Sequence, residues 1–190
     1  MQYAGFERID AKTNKILSRE MRYSDKKIID MNKSPEEIIS INTALWNKIY
    51  KASILKKIKE IENPPRILED MMYLALVYLK IEKISFVDEC LYYYMVREGS
   101  AMNTLKENEA KNIQQVMIDI KDEYIKSGCS KEKIEVLSSI AFLHLGISLM
   151  LRVFEKNRKE FKKEYKENIE FLDNYFKEWR TTKYLKITYT

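Results

Sequence analysis

The chain has 190 residues, of which 45% are hydrophobic and 33% charged, with four glycines, three prolines and a net charge of +5. That length accommodates one ordinary domain, or a small domain with an extension, and argues against two full domains. The composition argues against a disordered chain and suits a helix-rich globular protein with few tight turns. Cys90 and Cys129 lie far apart with no CxxC spacing, so neither a disulfide framework nor a zinc site is expected, and a reducing cytoplasm fits best.

Residues 1 to 8 lack the basic start and apolar run of a secretory signal, which keeps the expected location cytoplasmic. The positive charge is uneven. From Arg152 onward, eleven basic side chains face seven acidic ones, so four of the five net charges belong to the tail.

In chain order, Tyr3 to Ile9 and Ile16 to Tyr23 read as two short strands around the polar Asp10-Ala11-Lys12-Thr13-Asn14 segment, a hairpin. Ser34-Pro35-Glu36-Glu37 has the signature of a helix start, with Ser34 as N-cap and Pro35 at the first helical position. Ala44 to Tyr50 reads as extended, and Lys51 to Lys59 as a basic helix that stops before Pro64-Pro65. Met71 to Leu79 is apolar almost all round, which predicts a helix covered on most sides with Asp70 at its N-terminus. Ile84 to Val87 and Cys90 to Val96 are rich in β-branched and aromatic residues and read as two strands broken at Asp88-Glu89.

After Thr104 the pattern is helical: Glu107 to Lys126, Ser130 to about Phe154, and Lys159 to Trp179, with Gly128 as a C-terminal stop and Ser130 as the next N-cap. Val136 to Leu151 carries no formal charge, but it is shorter than a membrane span and contains Ser138, Ser139, His144 and Ser148, so a buried helix is expected, with His144 structural. In the last helix Phe154, Phe161, Tyr165, Ile169, Leu172, Phe176 and Trp179 form one apolar stripe. Packing on the preceding helices accounts for that stripe, and amphipathic contact with anionic lipid is the alternative. The fold class that follows is α+β with helix predominating: short strands with two or three helices, then a C-terminal bundle of three helices.

Taken alone, Glu69-Asp70 reads as a pair of first-turn acids, which the helix dipole and free N–H groups favour. Its setting gives it more meaning. Trp46-Asn47-Lys48, Leu68-Glu69-Asp70, Val87-Asp88-Glu89-Cys90-Leu91-Tyr92-Tyr93-Tyr94 and Arg97-Glu98-Gly99-Ser100 follow one another in an order that resembles the C-terminal half of family 2 inverting glycosyltransferases of the GT-A fold, of the bacterial surface-polysaccharide type. The resemblance covers residues 1–104, the acceptor side of such a domain, and leaves 105–190 as a helical extension packed on it. It implies that Asp70 is the general base that takes a proton from the acceptor hydroxyl, with Glu69 orienting it or hydrogen-bonding the acceptor. It also implies that Arg97 and Ser100 approach the diphosphate and that Trp46 and Lys48 lie near the cleft.

The same resemblance implies a nucleotide sugar and a saccharide or lipid-linked acceptor as partners, with no nucleic acid. Family members hold a divalent metal, manganese or magnesium, through an Asp-x-Asp motif, and this chain has none; Asp30-Met31-Asn32 sits in the wrong place. The expectation is therefore a portion lacking the nucleotide-binding half and inactive alone, with an apolar sheet edge exposed near residues 3 to 9. Such an edge would pair with the missing half or with a second copy. The rival reading is a non-catalytic helical interaction module, or a membrane-peripheral binding domain, in which Glu69-Asp70 is only a cap.

Overall fold

The computed structural model describes residues 1–21, 28–97, 109–156 and 158–185. It is an α+β protein in which helix predominates. The strands are β1 (Gln2–Asp10), β2 (Ile16–Glu20), β3 (Ile28–Asp30), β4 (Lys48–Ile49) and β5 (Lys83–Val96), and the helices α1 (Ala52–Leu55), α2 (Glu69–Lys80), α3 (Glu109–Lys126), α4 (Lys131–Ala141), α5 (Met150–Lys156) and α6 (Phe161–Tyr175). A π-helical stretch, Phe142–Leu149, joins α4 to α5 into one continuous rod.

The sheet runs β2-β1-β5-β3, with β4 also paired to β1. The β1–β2 hairpin is antiparallel and Asp10 organises its turn, its Oδ1 accepting from the Lys12 and Thr13 amides. The pairing of β1 with β5 is parallel, which requires the long crossover that carries α2. This corrects two expectations. Residues 3 to 9 are not an exposed edge: β1 is interior, with β5 on one side and β2 and β4 on the other. The break expected at Asp88-Glu89 is a bulge within one strand, because the register steps from Ala4 opposite Val87 to Gly5 opposite Cys90. Gly5 is required there, since a Cβ would lie 2.5 Å from Met21 Cγ and 3.2 Å from Cys90 Sγ.

Other local expectations shift too. Pro35–Ser40 is a 3₁₀ turn and Ser34 makes no side-chain cap. Only Lys48–Ile49 of the Ala44–Tyr50 segment is strand. The basic helix expected over Lys51–Lys59 closes a single turn, Ala52–Leu55; its lysines repel one another and it buries no side chain. Residues 22–27, at the end of the second expected strand, lie outside the described residues.

The core explains why α2 is apolar all round. Met71, Met72 and Leu74 to Leu79 are buried in one continuous cluster that reaches from Tyr3 and Ile84 on the sheet to Ile113, Met117 and Ile120 on α3 and Phe176 near the C-terminus. Tyr124 of α3 donates its hydroxyl to the Ala75 carbonyl of α2 at 2.6 Å. The two parts of the chain therefore share one core. At the far side, Lys121 Nζ donates to the Tyr175 carbonyl and Glu178 carboxylate, and Ser138 Oγ to the same carboxylate. Phe142 stacks on Trp179 at 4.3 Å. The rod from Lys131 to Lys156 is long and apolar enough to cross a membrane, yet 56% of its apolar window is buried within the fold, as in a core helix. His144 sits in that rod, half-buried, with desolvation pushing its imidazole down to about 4.

Candidate functional site

The site begins with how α2 starts. The residue before it, Leu68, is left-handed at φ 63° and ψ 8°, a conformation that a Leu adopts only at a cost, and it offers no side chain to cap the helix. Asp70, in the first turn, does not cap either. Its Oδ2 accepts the backbone N–H of Leu45 at 3.3 Å, across 25 residues of sequence, and no hydrogen bond among the described residues occupies Oδ1.

The segment that Asp70 holds is itself heavily tied down. Asn42 Oδ1 accepts from the Ala44 amide at 2.8 Å, and Asn47 exchanges hydrogen bonds with Ala4 of β1. Lys48 is buried, and its ammonium donates to the carbonyls of Asn42 (2.6 Å) and Ala44 (2.5 Å) and to Asn47 Oδ1 (2.8 Å). Those three acceptors match the three N–H groups of the charged form. Burial pushes the amine down to about 7, and the Asp70 carboxylate opposes that shift. Burial, and secondarily the Asp70 charge, pushes the Tyr50 hydroxyl up, so it stays neutral as it donates to the Leu45 carbonyl.

Between this loop, the start of α2 and the sheet lies a cavity of about 280 Å³ with Glu69 and Asp70 on its wall. Trp46 forms another wall, in edge contact with Phe6 at 4.8 Å and stacked on Tyr92 and Tyr94 at 4.3 and 5.3 Å. Three guanidinium side chains complete the lining: Arg8 from β1, Arg66 from the loop before α2, and Arg152 from α5. Arg8 is ion-paired with Glu20 at 2.6 Å and lies about 6 Å from the ring centres of Phe6 and Tyr94.

Of the residues expected from the sequence, the fold brings Trp46, Glu69 and Asp70 to one cavity. Lys48 is close by but builds the loop behind it rather than presenting a charge to it. Arg97 stands exposed just past β5 and is not part of the lining, and Ser100 lies outside the described residues. Arg8, Arg66 and Arg152 were not anticipated. Arg66 lies four residues before Asp70, just after Pro64-Pro65, whereas the other two arrive through β1 and through the packing of the C-terminal helices.

The divalent metal that the resemblance implies finds no ligand set here. Among the described residues no group of three or more His, Cys, Asp or Glu side chains is placed to hold an ion. Compared with protein-family models, with curated proteins and with solved structures, the chain matches none.

Proposed function

We propose that this chain is the acceptor-side part of an inverting glycosyltransferase that uses a nucleotide-activated sugar, with Asp70 as the general base. The observation that carries the reading is the deployment of Asp70: a first-turn carboxylate that caps nothing, is fixed through Oδ2 to Leu45, and borders a cavity walled by Trp46 and three guanidinium groups. A saccharide hydroxyl within about 2.6–3.2 Å of Oδ1 would pass its proton to the carboxylate as its oxygen attacks the anomeric carbon. Attack opposite the departing diphosphate inverts the configuration there. The indole of Trp46 offers a flat apolar surface for a sugar ring, and Arg8, Arg66 and Arg152 offer charge-assisted donors to acceptor oxygens or to a leaving group. Glu69 is exposed beside Asp70, where it can accept a second acceptor hydroxyl.

The binding half of the reading is tested with Trp46 fluorescence in a Trp179→Phe background, where Trp46 is the only indole. A saccharide of the acceptor class shifts or quenches that emission saturably, and Asp70→Asn weakens the binding. A broad panel of neutral, amino and acidic saccharides that leaves the emission unmoved up to millimolar concentration overturns the assignment. The chemical half is tested on this chain, alone and with a nucleotide-binding half supplied, as transfer or slow hydrolysis of nucleotide sugars with manganese present. Full activity in Asp70→Asn removes Asp70 as the base.

A further inference from the structure

The apolar stripe of the last helix is divided by the fold. Its C-terminal half is inside, with Phe171, Leu172 and Phe176 buried and Trp179 stacked on Phe142. Its N-terminal half is more open and continues onto α5, with Phe161 half-buried against the core. Ile147, Leu151 and Phe154 are spaced as one helix face and are 42%, 58% and 38% exposed, and Tyr165 across the turn is 44% exposed. Ring contacts join the two helices into a single patch: Phe154 meets Phe161 edge-on at 5.3 Å, and Phe161 lies 5.7 Å from Tyr165. Large apolar side chains gathered this way are unlike the singly scattered hydrophobics of an ordinary surface.

The rim of the patch is basic. Between residues 155 and 166 there are six Lys or Arg side chains against three Glu, with Glu167 and Glu170 one turn further along α6. Arg158 places its guanidinium 4.9 Å from the Phe154 ring centre, and Lys163 and Lys166 reach their i+4 glutamates only at 3.9 and 3.8 Å while remaining about three-quarters exposed. Surface pairs of that kind bind weakly and leave the lysines available to another anion.

We infer that the tip of the α5–α6 hairpin is a docking surface for an anionic lipid bilayer, with Leu151, Phe154 and Tyr165 entering the headgroup–acyl boundary and the lysines on the phosphates. Charge complementarity selects this occupant. An apolar centre ringed by cations is what a membrane surface bearing negative headgroups takes up, and it is disfavoured for a second copy of the chain, whose own tip would bring the same positive charge. The rod behind the tip stays in the protein core, so the contact is peripheral and does not span the bilayer.

The experiment is vesicle flotation of the full chain with phosphatidylcholine alone and with phosphatidylcholine mixed with phosphatidylglycerol. The mixed vesicles should bind at least about tenfold more protein, and added salt should weaken the binding. The exposed-site double variant Leu151→Ser/Phe154→Ser, and separately Lys162→Glu/Lys166→Glu, should each lose about tenfold while unfolding at the wild-type temperature. Absence of flotation with mixed vesicles, or wild-type binding by both double variants, overturns the inference. So does a dimer in sedimentation that Leu151→Ser/Phe154→Ser disperses, because the patch would then belong to a second copy.

Discussion

Two helices of this protein begin differently, and the contrast bears directly on the candidate site. At the start of α4, Ser130 is extended and its Oγ accepts the Lys133 amide, just after Gly128, at φ 65°, has closed α3. The Ser130 side chain and the left-handed Gly128 backbone there both serve the helix ends themselves. At the start of α2 the cap position is Leu68, left-handed and without a capping side chain, and the acid that the helix dipole would welcome reaches away to Leu45. One start is built for stability. The other leaves helix N–H groups without a side-chain cap and backbone strain in place, while fixing a carboxylate at a cavity, which is how a functional site departs from local rules.

The largest expected effect separates the two starts by activity. If Asp70 is the proposed base, Asp70→Asn should lower sugar transfer, assayed with a nucleotide-binding half supplied, by about 10²–10⁴-fold, the usual contribution of a positioned general base. Its unfolding free energy should change by less than about 1 kcal/mol, because the amide oxygen of Asn can still accept from Leu45. A variant that unfolds as readily as it loses activity would make Asp70 a structural anchor only.

The next effect concerns Lys48, the second anchor of the loop that Asp70 holds; the start of α4 has no buried charge like it. A lysine lowered to about 7 in the folded protein keeps its usual value near 10.5 when unfolded. Between those values the unfolded chain binds more protons, so folding stability rises with pH from about 7 toward 10.5 and is independent of this group below 7. Urea unfolding at a series of pH values should show that rise, and Lys48→Met should flatten it. A wild-type profile that falls across the window would mean that the three acceptors keep the ammonium's value high.

Much of this contrast could be read from the sequence, in the parts that depend on neighbours. Ser130 after Gly128, and the acids ahead of an unbroken apolar run from Met71, are local signals, and both mark real helix starts. What the sequence did not reveal depends on distant residues. The parallel pairing of β1 with β5 joins segments about eighty residues apart, and it turned an expected free edge into the middle of the sheet. Arg8 and Arg152 reach the cavity through that pairing and through the packing of α5, and no spacing rule links them to Asp70. The uncapped start of α2 was hidden for the same reason: Asp70 beside Glu69 looks like any first-turn acid until its partner at Leu45 is seen.

Ser130→Ala tests the stability-built start. It should cost about 1 kcal/mol in denaturant unfolding and leave transfer and saccharide binding unchanged. A loss of function there would couple the two starts through the shared core.

The smallest effect measures the strain at Leu68, with Gly128 as the reference. No atom lies within 4 Å of a Cβ built on Gly128, so Gly128→Ala reports only the left-handed backbone and should cost about 1 kcal/mol. At Leu68, replacement by Ala or Gly removes the same half-buried side chain, and the two variants differ chiefly in whether the residue tolerates φ 63°. Leu68→Gly should therefore be more stable than Leu68→Ala by more than about 1 kcal/mol, because glycine already surpasses alanine at a cap position and the left-handed φ adds to that preference. If the alanine variant is the more stable, Leu68 is not held left-handed in solution, and α2 begins as ordinarily as α4.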